Sequence, residues 1–252
     1  MATTKTWEYF YEIYEGIPRQ GPGDRESTLR ALKLVPPLGH RQRILDVGCG
    51  SGTQTLDLAG ATEARIVAVD NHAPFVLQLA KRASARGLAT GIAAQVADMN
   101  DLPFPDGSFD LVWSEGAIFV IGFSQGLAKW RRLLKPGGHL VVSEYCWFRD
   151  DPPADLREVH TQGCPDVGDV ADRRAAVAAS GYELLADFVL PEIGWWENYY
   201  VPLAECLERF RAAHAADLAA LEVAARSQHE IDLYRRYAGW FGYVFFVMRL
   251  KD

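Results

Sequence analysis

The sequence lacks several features that would each point to a particular class of protein. Its four cysteines lie far apart and include no Cys-x-x-Cys pair. This spacing argues against a zinc site or a disulfide framework and is typical of a reducing cytoplasm. No apolar run reaches the roughly 18 residues that a membrane span needs, and the first residues show no basic and then apolar signal pattern. We therefore expect a cytoplasmic protein with no metal centre and no membrane partner.

Basic charge is also scarce. The chain has 26 lysines and arginines against 33 aspartates and glutamates, which gives a formal net charge of −7. Nucleic-acid-binding proteins usually carry a basic face, so a polynucleotide substrate is disfavoured. Hydrophobic residues, by contrast, make up 49% of the 252 residues, which is enough to bury a full core.

The main feature that is present is a glycine-rich turn between a short apolar strand and a helix. The strand covers residues 44–47, and Gly48, Gly50 and Gly52 follow at every second position. Glycines let the backbone bend sharply and let a ligand approach it closely. The N–H groups of the next helix N-terminus are then expected to bind that ligand. A second apolar strand ends at Asp70, and a glycine turn followed by such an acid predicts a nucleoside-binding site.

Strands and helices alternate through the middle of the chain, which predicts an α/β fold with a doubly wound, mostly parallel sheet. The predicted strands are 44–47, 65–70, 91–97, 108–113 and 139–145, and the predicted helices are 53–59, 73–87 and 124–134. Helix 73–87 is amphipathic, with one apolar face formed by Phe75, Val76, Leu79, Ala80 and Ala83.

Two flanking segments do not follow this alternation. The segment before it predicts helices over 7–14 and 26–34, separated by a glycine and proline loop, residues 16–24. The segment after it predicts helix 172–181, strand 183–190, two helices over about 202–227 and up to 237, and strand 242–250. We expect the last two strands to pair as a hairpin whose connection is a helical insertion.

Two cofactor classes use a glycine turn of this kind. Dinucleotide sites favour G-x-G-x-x-G, but Thr53 stands where the third glycine would be. Asp46, in the strand before the turn, suits a ligand with an ammonium group better than one with a pyrophosphate. These residues favour a zwitterionic nucleoside such as S-adenosylmethionine.

Four motifs in order resemble the class I S-adenosylmethionine-dependent methyltransferase superfamily. They read DVGCGSGTQT, VAVD, ADMNDLPFPDGSFDLVWSEGA and LLKPGGHLVVSE, and they cover about residues 44–144. Within the superfamily the chain is most similar to the small-molecule, ubiquinone/sterol methyltransferase-like branch. The resemblance implies a Rossmann-like seven-stranded sheet whose last strand is antiparallel. We expect one domain, with an N-terminal cap or lid (1–40), a cofactor-binding core (41–150) and a C-terminal part (151–252) whose helical insertion (195–238) lies over the acceptor pocket.

The resemblance also implies which residues bind the cofactor. Asp46 and the backbone of residues 48–52 would hold the amino-acid end, and Asp70 would accept hydrogen bonds from both ribose hydroxyls. Asn71 or His72 would lie beside the ribose or adenine, and Asp98 and the Met99 N–H would contact the adenine. The expected cofactor-binding set is Arg19, Asp46, Gly48, Cys49, Gly50, Gly52, Gln54, Asp70, Asn71, Asp98, Met99 and Ser114.

The acceptor side is less defined. Two roles are open for Glu115: a base that takes a proton from the acceptor, or a carboxylate that orients the cap, for example by pairing with Arg19. Glu144 and His160 are weaker catalytic candidates. The expected acceptor pocket comprises Tyr11, Tyr14, Glu115, Trp195, Trp196 and Tyr200, since aromatic faces suit an apolar acceptor and the sulfonium charge.

We therefore expect a methyltransferase that moves the methyl group of S-adenosylmethionine to a small, partly apolar acceptor by in-line displacement, leaving S-adenosylhomocysteine. One alternative is a nicotinamide-dependent oxidoreductase, against which Thr53 and the absence of a Tyr-x-x-x-Lys pair speak. The other is a non-catalytic protein that binds S-adenosylmethionine. The sequence indicates neither the acceptor atom (oxygen, nitrogen, carbon or sulfur) nor the oligomeric state.

Overall fold

The computed structural model describes residues 4–163 and 166–251, without the side chains of residues 159–163. Its helices are α1 (Thr4–Glu15), α2 (Arg25–Leu32), α3 (Thr53–Ala61), α4 (Ala73–Ala85), α5 (Phe123–Arg131), α6 (Ala154–Gly163), α7 (Val170–Ala179), α8 (Val201–Ala213) and α9 (Leu218–Tyr237). Its strands are β1 (Arg43–Val47), β2 (Arg65–Asp70), β3 (Ile92–Val96), β4 (Phe109–Glu115), β5 (Leu134–Trp147), β6 (Gly168–Asp169), β7 (Tyr182–Val189) and β8 (Phe241–Leu250). A π-helical turn, Trp196–Tyr200, precedes α8.

The strands form one sheet in the order β3-β2-β1-β4-β5-β8-β7. The first five are parallel to their neighbours, and β8 runs antiparallel to both β5 and β7. This confirms the predicted seven-stranded sheet with an antiparallel last strand, including the β7–β8 pairing across the helical insertion. The two-residue strand β6, which pairs with β5, was not predicted, because two residues carry no periodic pattern.

Each face of the sheet is covered by a different hydrophobic layer. On one face Ile44, Leu111 and Val141 pack with the cap helices and with α8 and α9. On the other face the alternating residues, such as Leu45 and Val112, pack with α5 and α7. Side chains of a strand point alternately to its two faces, so a residue's position along its strand decides which layer it enters.

The N-terminal cap and the C-terminal insertion pack against each other. Asp217, the N-cap of α9, accepts hydrogen bonds from Tyr9 (2.6 Å) and Lys5 (2.7 Å) of α1. The thiol of Cys206 in α8 donates to the carbonyl of Ile13 (3.3 Å). The two segments that flank the core in sequence are therefore one layer in space.

Several predicted bounds were wrong. The helix predicted over about 202–227 is two helices, because Asp217 caps a new one by accepting from Ala219 and Ala220 N–H groups. Helix α5 ends at Arg131 rather than at residue 134, and β5 begins at Leu134 rather than at residue 139, so residues 135–138 belong to the strand. Ala80, placed on the apolar face of α4, is exposed.

Among the described residues, no helix combines the length and the apolar character that crossing a bilayer requires.

Candidate active site

The glycine turn follows β1 and lies at the carboxyl end of the parallel strands. Gly48, Gly50 and Gly52 have φ values of +72°, +53° and +84°, a region that favours glycine. Space requires glycine as well, since a Cβ on Gly48 would lie 2.4 Å from the Cβ of Ala117. Cys49, within the turn, is buried.

The N–H groups of the turn already have partners within the protein. Those of Gly48 and Cys49 donate to the Val69 carbonyl at 2.9 and 3.0 Å. Gly50 N–H donates to Asp70 (2.9 Å), and Ser51 N–H donates to the Gln20 side chain (2.7 Å). The open N–H groups predicted for the helix that follows are separate from these, because those of residues 48–51 are all engaged within the protein. The glycines of the turn let a ligand approach the backbone closely, and the charged side chains around the turn are the groups that could bind it.

We expect Gly52→Ala to destabilise the fold by about 2–4 kcal/mol, from left-handed backbone strain and overpacking. The new Cβ would lie 2.2 Å from Leu79 Cδ1 at a φ of +84°. Gly60→Ala is the matched control, because Gly60 lies in helix α3 with nothing within 4 Å of a Cβ. That control should gain about 0.5–1 kcal/mol. Urea unfolding checks both variants, and equal effects at the two sites would contradict the steric account of the turn.

Asp46 is fully buried below the turn. Its Oδ2 accepts hydrogen bonds from Thr55 Oγ1 (2.6 Å) and Gln54 Nε2 (3.3 Å), while Oδ1 has no partner among the described residues. Burial raises the pKa of Asp46 to about 7. Gln54 also donates to the Cys49 carbonyl, so its side chain supports Asp46 and the turn.

Asp70 ends β2 beside the turn. Its two oxygens accept from the N–H groups of Gly50 and His72, each at 2.9 Å, and burial raises its pKa. Asn71 is exposed. The His72 ring stacks on Tyr11 with 3.7 Å between ring centroids. Tyr11, expected in the acceptor pocket, therefore lies at the Asp70 side of the site.

Asp98 follows β3, the neighbour of β2. Its Oδ1 accepts from the backbone N–H (2.8 Å) and the side-chain amide (3.2 Å) of Asn100, and the residue is exposed. The Met99 carbonyl accepts from Trp130 Nε1 (3.1 Å). Ala97 N–H donates to the Asp70 carbonyl (3.0 Å), so the structure brings Asp70 and Asp98 to the same edge of the sheet.

Ser114 is buried in β4, and its hydroxyl donates to the Val47 carbonyl (2.9 Å). This bond ties β4 to β1 and leaves the hydroxyl engaged within the sheet. The sequence could not reveal this use, because it depends on the register of two strands that are 67 residues apart.

Glu115 lies at the end of β4 in a buried network that includes the cap. Arg19 forms an ion pair with Glu115 Oε2, and their side chains are 7% and 1% exposed. Thr28 Oγ1 (2.7 Å) and Trp113 Nε1 (2.9 Å) both donate to Oε1. Three donors thus occupy the carboxylate, which favours the orienting role over that of a base. Arg19 Nη1 is buried and has no partner among the described residues.

Comparison with known proteins assigns this site to a family. Residues 44–138 match the methyltransferase domain family. Phosphoethanolamine N-methyltransferase 1 of Arabidopsis thaliana is 32% identical over 161 residues, which cover 62% of this chain and 32% of that protein. The ubiquinone/menaquinone biosynthesis C-methyltransferase UbiE of Geotalea daltonii is 35% identical over 124 residues, which cover 48% of this chain and 51% of that protein.

Residues 44–138 are thus a methyltransferase domain. The S-adenosylmethionine-dependent methyltransferase of Thiobacillus denitrificans, solved with S-adenosyl-L-homocysteine, has the same fold, with a TM-score of 0.83 at 20% identity over 96% of this chain and 98% of that one. The predicted methyltransferase domain is confirmed by the match over residues 44–138, and the solved structure confirms the predicted fold. The chain spans 32% and 51% of the length of the two curated relatives.

The loop of residues 16–24 covers the glycine turn of the methyltransferase domain, through residues that the sequence did not single out. Gln20 accepts from Ser51 N–H and donates to the Tyr14 (3.1 Å) and Ile17 (3.0 Å) carbonyls. Arg82 of α4 donates to the Pro18 carbonyl (3.1 Å) and to Ser51. Neither residue follows a strand or a glycine, so no sequence pattern marked it.

The two weaker catalytic candidates do not join Glu115. Glu144 is buried in β5 and lies 3.8 Å from Arg173 of α7, and burial raises its pKa to about 8. Its neighbour Tyr145 packs on the cap side of the sheet, so strand alternation turns Glu144 to the opposite face. The side chain of His160 lies outside the described residues.

The remaining pocket candidates lie in the cap and insertion layer of the methyltransferase domain. Tyr14 and Tyr200 are buried in this layer. Trp195 stacks on Tyr234 at 4.5 Å between centroids, and Trp196 is half-buried at the edge of Tyr200. The structure therefore groups Tyr14, Trp195, Trp196 and Tyr200 but not Tyr11.

Among the described residues, no three histidine, cysteine or carboxylate side chains form a group that could hold a metal ion.

Proposed function

We propose that this protein transfers the methyl group of S-adenosylmethionine to a small, partly apolar organic acceptor. Two buried polar atoms without partners among the described residues carry the proposal, Asp46 Oδ1 and Arg19 Nη1. Both lie beside the glycine turn, and Arg19 is close enough to lower the pKa of Asp46. An acidic oxygen and a guanidinium nitrogen without partners fit the ammonium and the carboxylate of an amino-acid group, and a bound ammonium would favour the ionised form of Asp46.

The other cofactor contacts follow the edge of the sheet. Asp70 would hold the ribose, with Asn71 at its exposed side, and Asp98 and Met99 would contact the adenine. The stacked rings of Tyr11 and His72 (3.7 Å) offer a flat surface beside Asp70. Gly48, Gly50 and Gly52 leave the backbone accessible, while Cys49, Gln54 and Ser114 support the turn and β4 from below.

When bound, S-adenosylmethionine supplies a methyl group already activated on a positively charged sulfur. The protein's part is then to align the acceptor and to exclude water. The Arg19–Glu115 pair fixes the 16–24 loop over the carboxyl edge of the sheet.

Residues 1–40 act as the cap, 41–150 as the cofactor-binding core and 151–252 as the part whose insertion (195–238) encloses the acceptor. The acceptor is a small molecule rather than a nucleic acid, in keeping with the net charge of −7. The protein acts in the cytoplasm, in keeping with the free cysteines Cys49, Cys146 and Cys206 of the described residues.

Ligand-dependent thermal unfolding tests this function. S-Adenosylhomocysteine at about 100 times its Kd should stabilise the protein by about 2.7 kcal/mol, a shift of roughly 5–10 °C for a domain of this size. NADH at the same concentration is the control and should give no shift. Methyl transfer from radiolabelled S-adenosylmethionine to a panel of metabolites completes the test. Stabilisation by NADH alone would contradict the proposal, and binding without any transfer would favour a non-catalytic binding protein.

A further inference from the structure

A cluster of three buried tyrosines and one half-buried glutamate, the tyrosine–glutamate cluster, joins the cap to the insertion. It consists of Tyr14 of α1, Tyr199 and Tyr200 of the π-helical turn, and Glu230 of α9. The hydroxyls of Tyr14 and Tyr199 are 3.1 Å apart. Those of Tyr199 and Tyr200 both donate to Glu230 Oε1 at 3.3 Å. Two phenols therefore donate to one carboxylate, and the third is hydrogen-bonded to one of them.

The carboxylate of this cluster has no positive partner among the described residues. Within residues 4–163 and 166–251, no lysine, arginine or histidine forms an ion pair with Glu230. The hydrogen bonds that Glu230 receives from these residues are both to Oε1. Burial raises the pKa of Glu230 to about 6, so the group is ionised at neutral pH. Burial also raises the pKa values of Tyr199 and Tyr200, which keeps them neutral. Glu230 is half-buried, and a carboxylate partly withdrawn from water is stabilised by a nearby cation.

Aromatic faces enclose the cluster. Trp195 lies 6.0 Å from Tyr200 and 5.0 Å from Tyr243, between ring centroids, and the Tyr199 and Tyr200 rings are 4.9 Å apart. Aromatic rings attract cations through their negative faces, and this attraction is largest where the ring is desolvated. An ionised carboxylate among aromatic rings is complementary to an organic cation.

A continuous series of contacts connects this cluster to the glycine turn. A Cβ on Gly48 would touch Ala117 at 2.4 Å, and a Cβ on Gly116 would touch the Tyr243 ring at 2.9 Å. Tyr243 in turn packs on Trp195. The cluster is therefore on the cap side of the sheet, and Tyr243 and Trp195 lie between it and the carboxyl end of β4.

We propose that the tyrosine–glutamate cluster binds a positively charged ammonium group carried by the methyl acceptor. This inference rests on the proposed function and narrows its acceptor class. Glu230 supplies the counter-charge, and the rings of Tyr14, Tyr199 and Tyr200 supply the walls. The ammonium is the recognition group of the acceptor, separate from the atom that receives the methyl.

Calorimetry on the full chain saturated with S-adenosylhomocysteine tests the proposal. The probes are choline and its uncharged isostere 3,3-dimethylbutan-1-ol. We expect choline to bind at least about 10-fold more tightly than the alcohol, which corresponds to about 1.4 kcal/mol. Glu230→Gln should remove this preference by weakening choline binding and leaving the alcohol unchanged. Tyr200→Phe, which keeps the ring and loses one donor, should retain the preference.

The control variant is Glu222→Gln, on the same helix but exposed and paired with Arg226. It should bind choline as the wild type does. Equal binding of choline and the alcohol, no binding of choline, or an unchanged preference in Glu230→Gln would each overturn the inference and assign the cluster to structure alone. Titration with S-adenosylhomocysteine alone distinguishes a failure of this inference from a failure of the proposed function, since S-adenosylhomocysteine that does not bind would overturn the proposed function itself. If Glu230→Gln unfolds, the binding of the two probes to the wild type tests the inference, and equal binding of choline and the alcohol overturns it.

Discussion

Asp70→Ala is expected to weaken the binding of S-adenosylhomocysteine by at least about 100-fold. A carboxylate that accepts from two ribose hydroxyls makes two hydrogen bonds of about 1.5–3 kcal/mol each, and each 1.4 kcal/mol is tenfold in affinity. The same carboxylate accepts from the N–H groups of Gly50 and His72. Its loss therefore also loosens the glycine turn.

Calorimetry with S-adenosylhomocysteine measures the effect. The fold should survive, because burial disfavours the charged form of Asp70, as its raised pKa indicates, and the alanine removes that cost. Asp106→Ala is the matched control, since Asp106 is exposed and pairs with Arg132 at the surface. An affinity of folded Asp70→Ala within twofold of the wild type would remove Asp70 from the binding site.

Arg19→Met is expected to destabilise the protein by about 3–5 kcal/mol, because it leaves a buried carboxylate without its cation. The double variant Arg19→Met/Glu115→Gln should recover most of this loss, since a neutral amide still accepts from Thr28 and Trp113. Denaturant unfolding measures the recovery. Additive losses in the double variant would show that the two side chains are not coupled.

Measuring ligand binding in the same variants distinguishes their effect on stability from their effect on cofactor binding. The double variant should still bind S-adenosylhomocysteine poorly, because Arg19 Nη1 is the atom proposed for the cofactor's carboxylate. Glu115→Gln alone keeps that atom and should lower the rate of methyl transfer more than the affinity. Normal activity in Glu115→Gln would assign Glu115 to structure, and normal affinity in the double variant would remove Arg19 from the site.

The core of the fold and the position of the site could be predicted from sequence because both depend on local patterns. Buried strands ending in Gly48 or Asp70 bring those residues to one edge of a parallel sheet whatever the loops do. The occupancy of the turn's N–H groups could not be predicted in this way. Gln20 reaches Ser51 from 31 residues away, and no periodicity encodes such a contact.

The role of Tyr11 shows a second limit. Helix α1 carries aromatic rings around most of its circumference, so its apolar pattern does not define one inward face. Trp7 on this helix is 53% exposed, whereas Tyr14 is 6% exposed. Only the packing of α1 on α9 and α4 decides that Tyr11 meets His72 while Tyr14 meets Tyr199. The break between α8 and α9 depends likewise on Asp217 and its distant partners Lys5 and Tyr9.

The position of β8 has a consequence for how the chain is made. This strand is the last of the described strands in sequence, yet it lies inside the sheet and is the link between β7 and β5. During synthesis from the N-terminus, β7 emerges before β8 and remains unpaired while α8 and α9 are synthesised. The ribosome-bound chain therefore exposes an incomplete sheet edge until Phe241–Leu250 emerges.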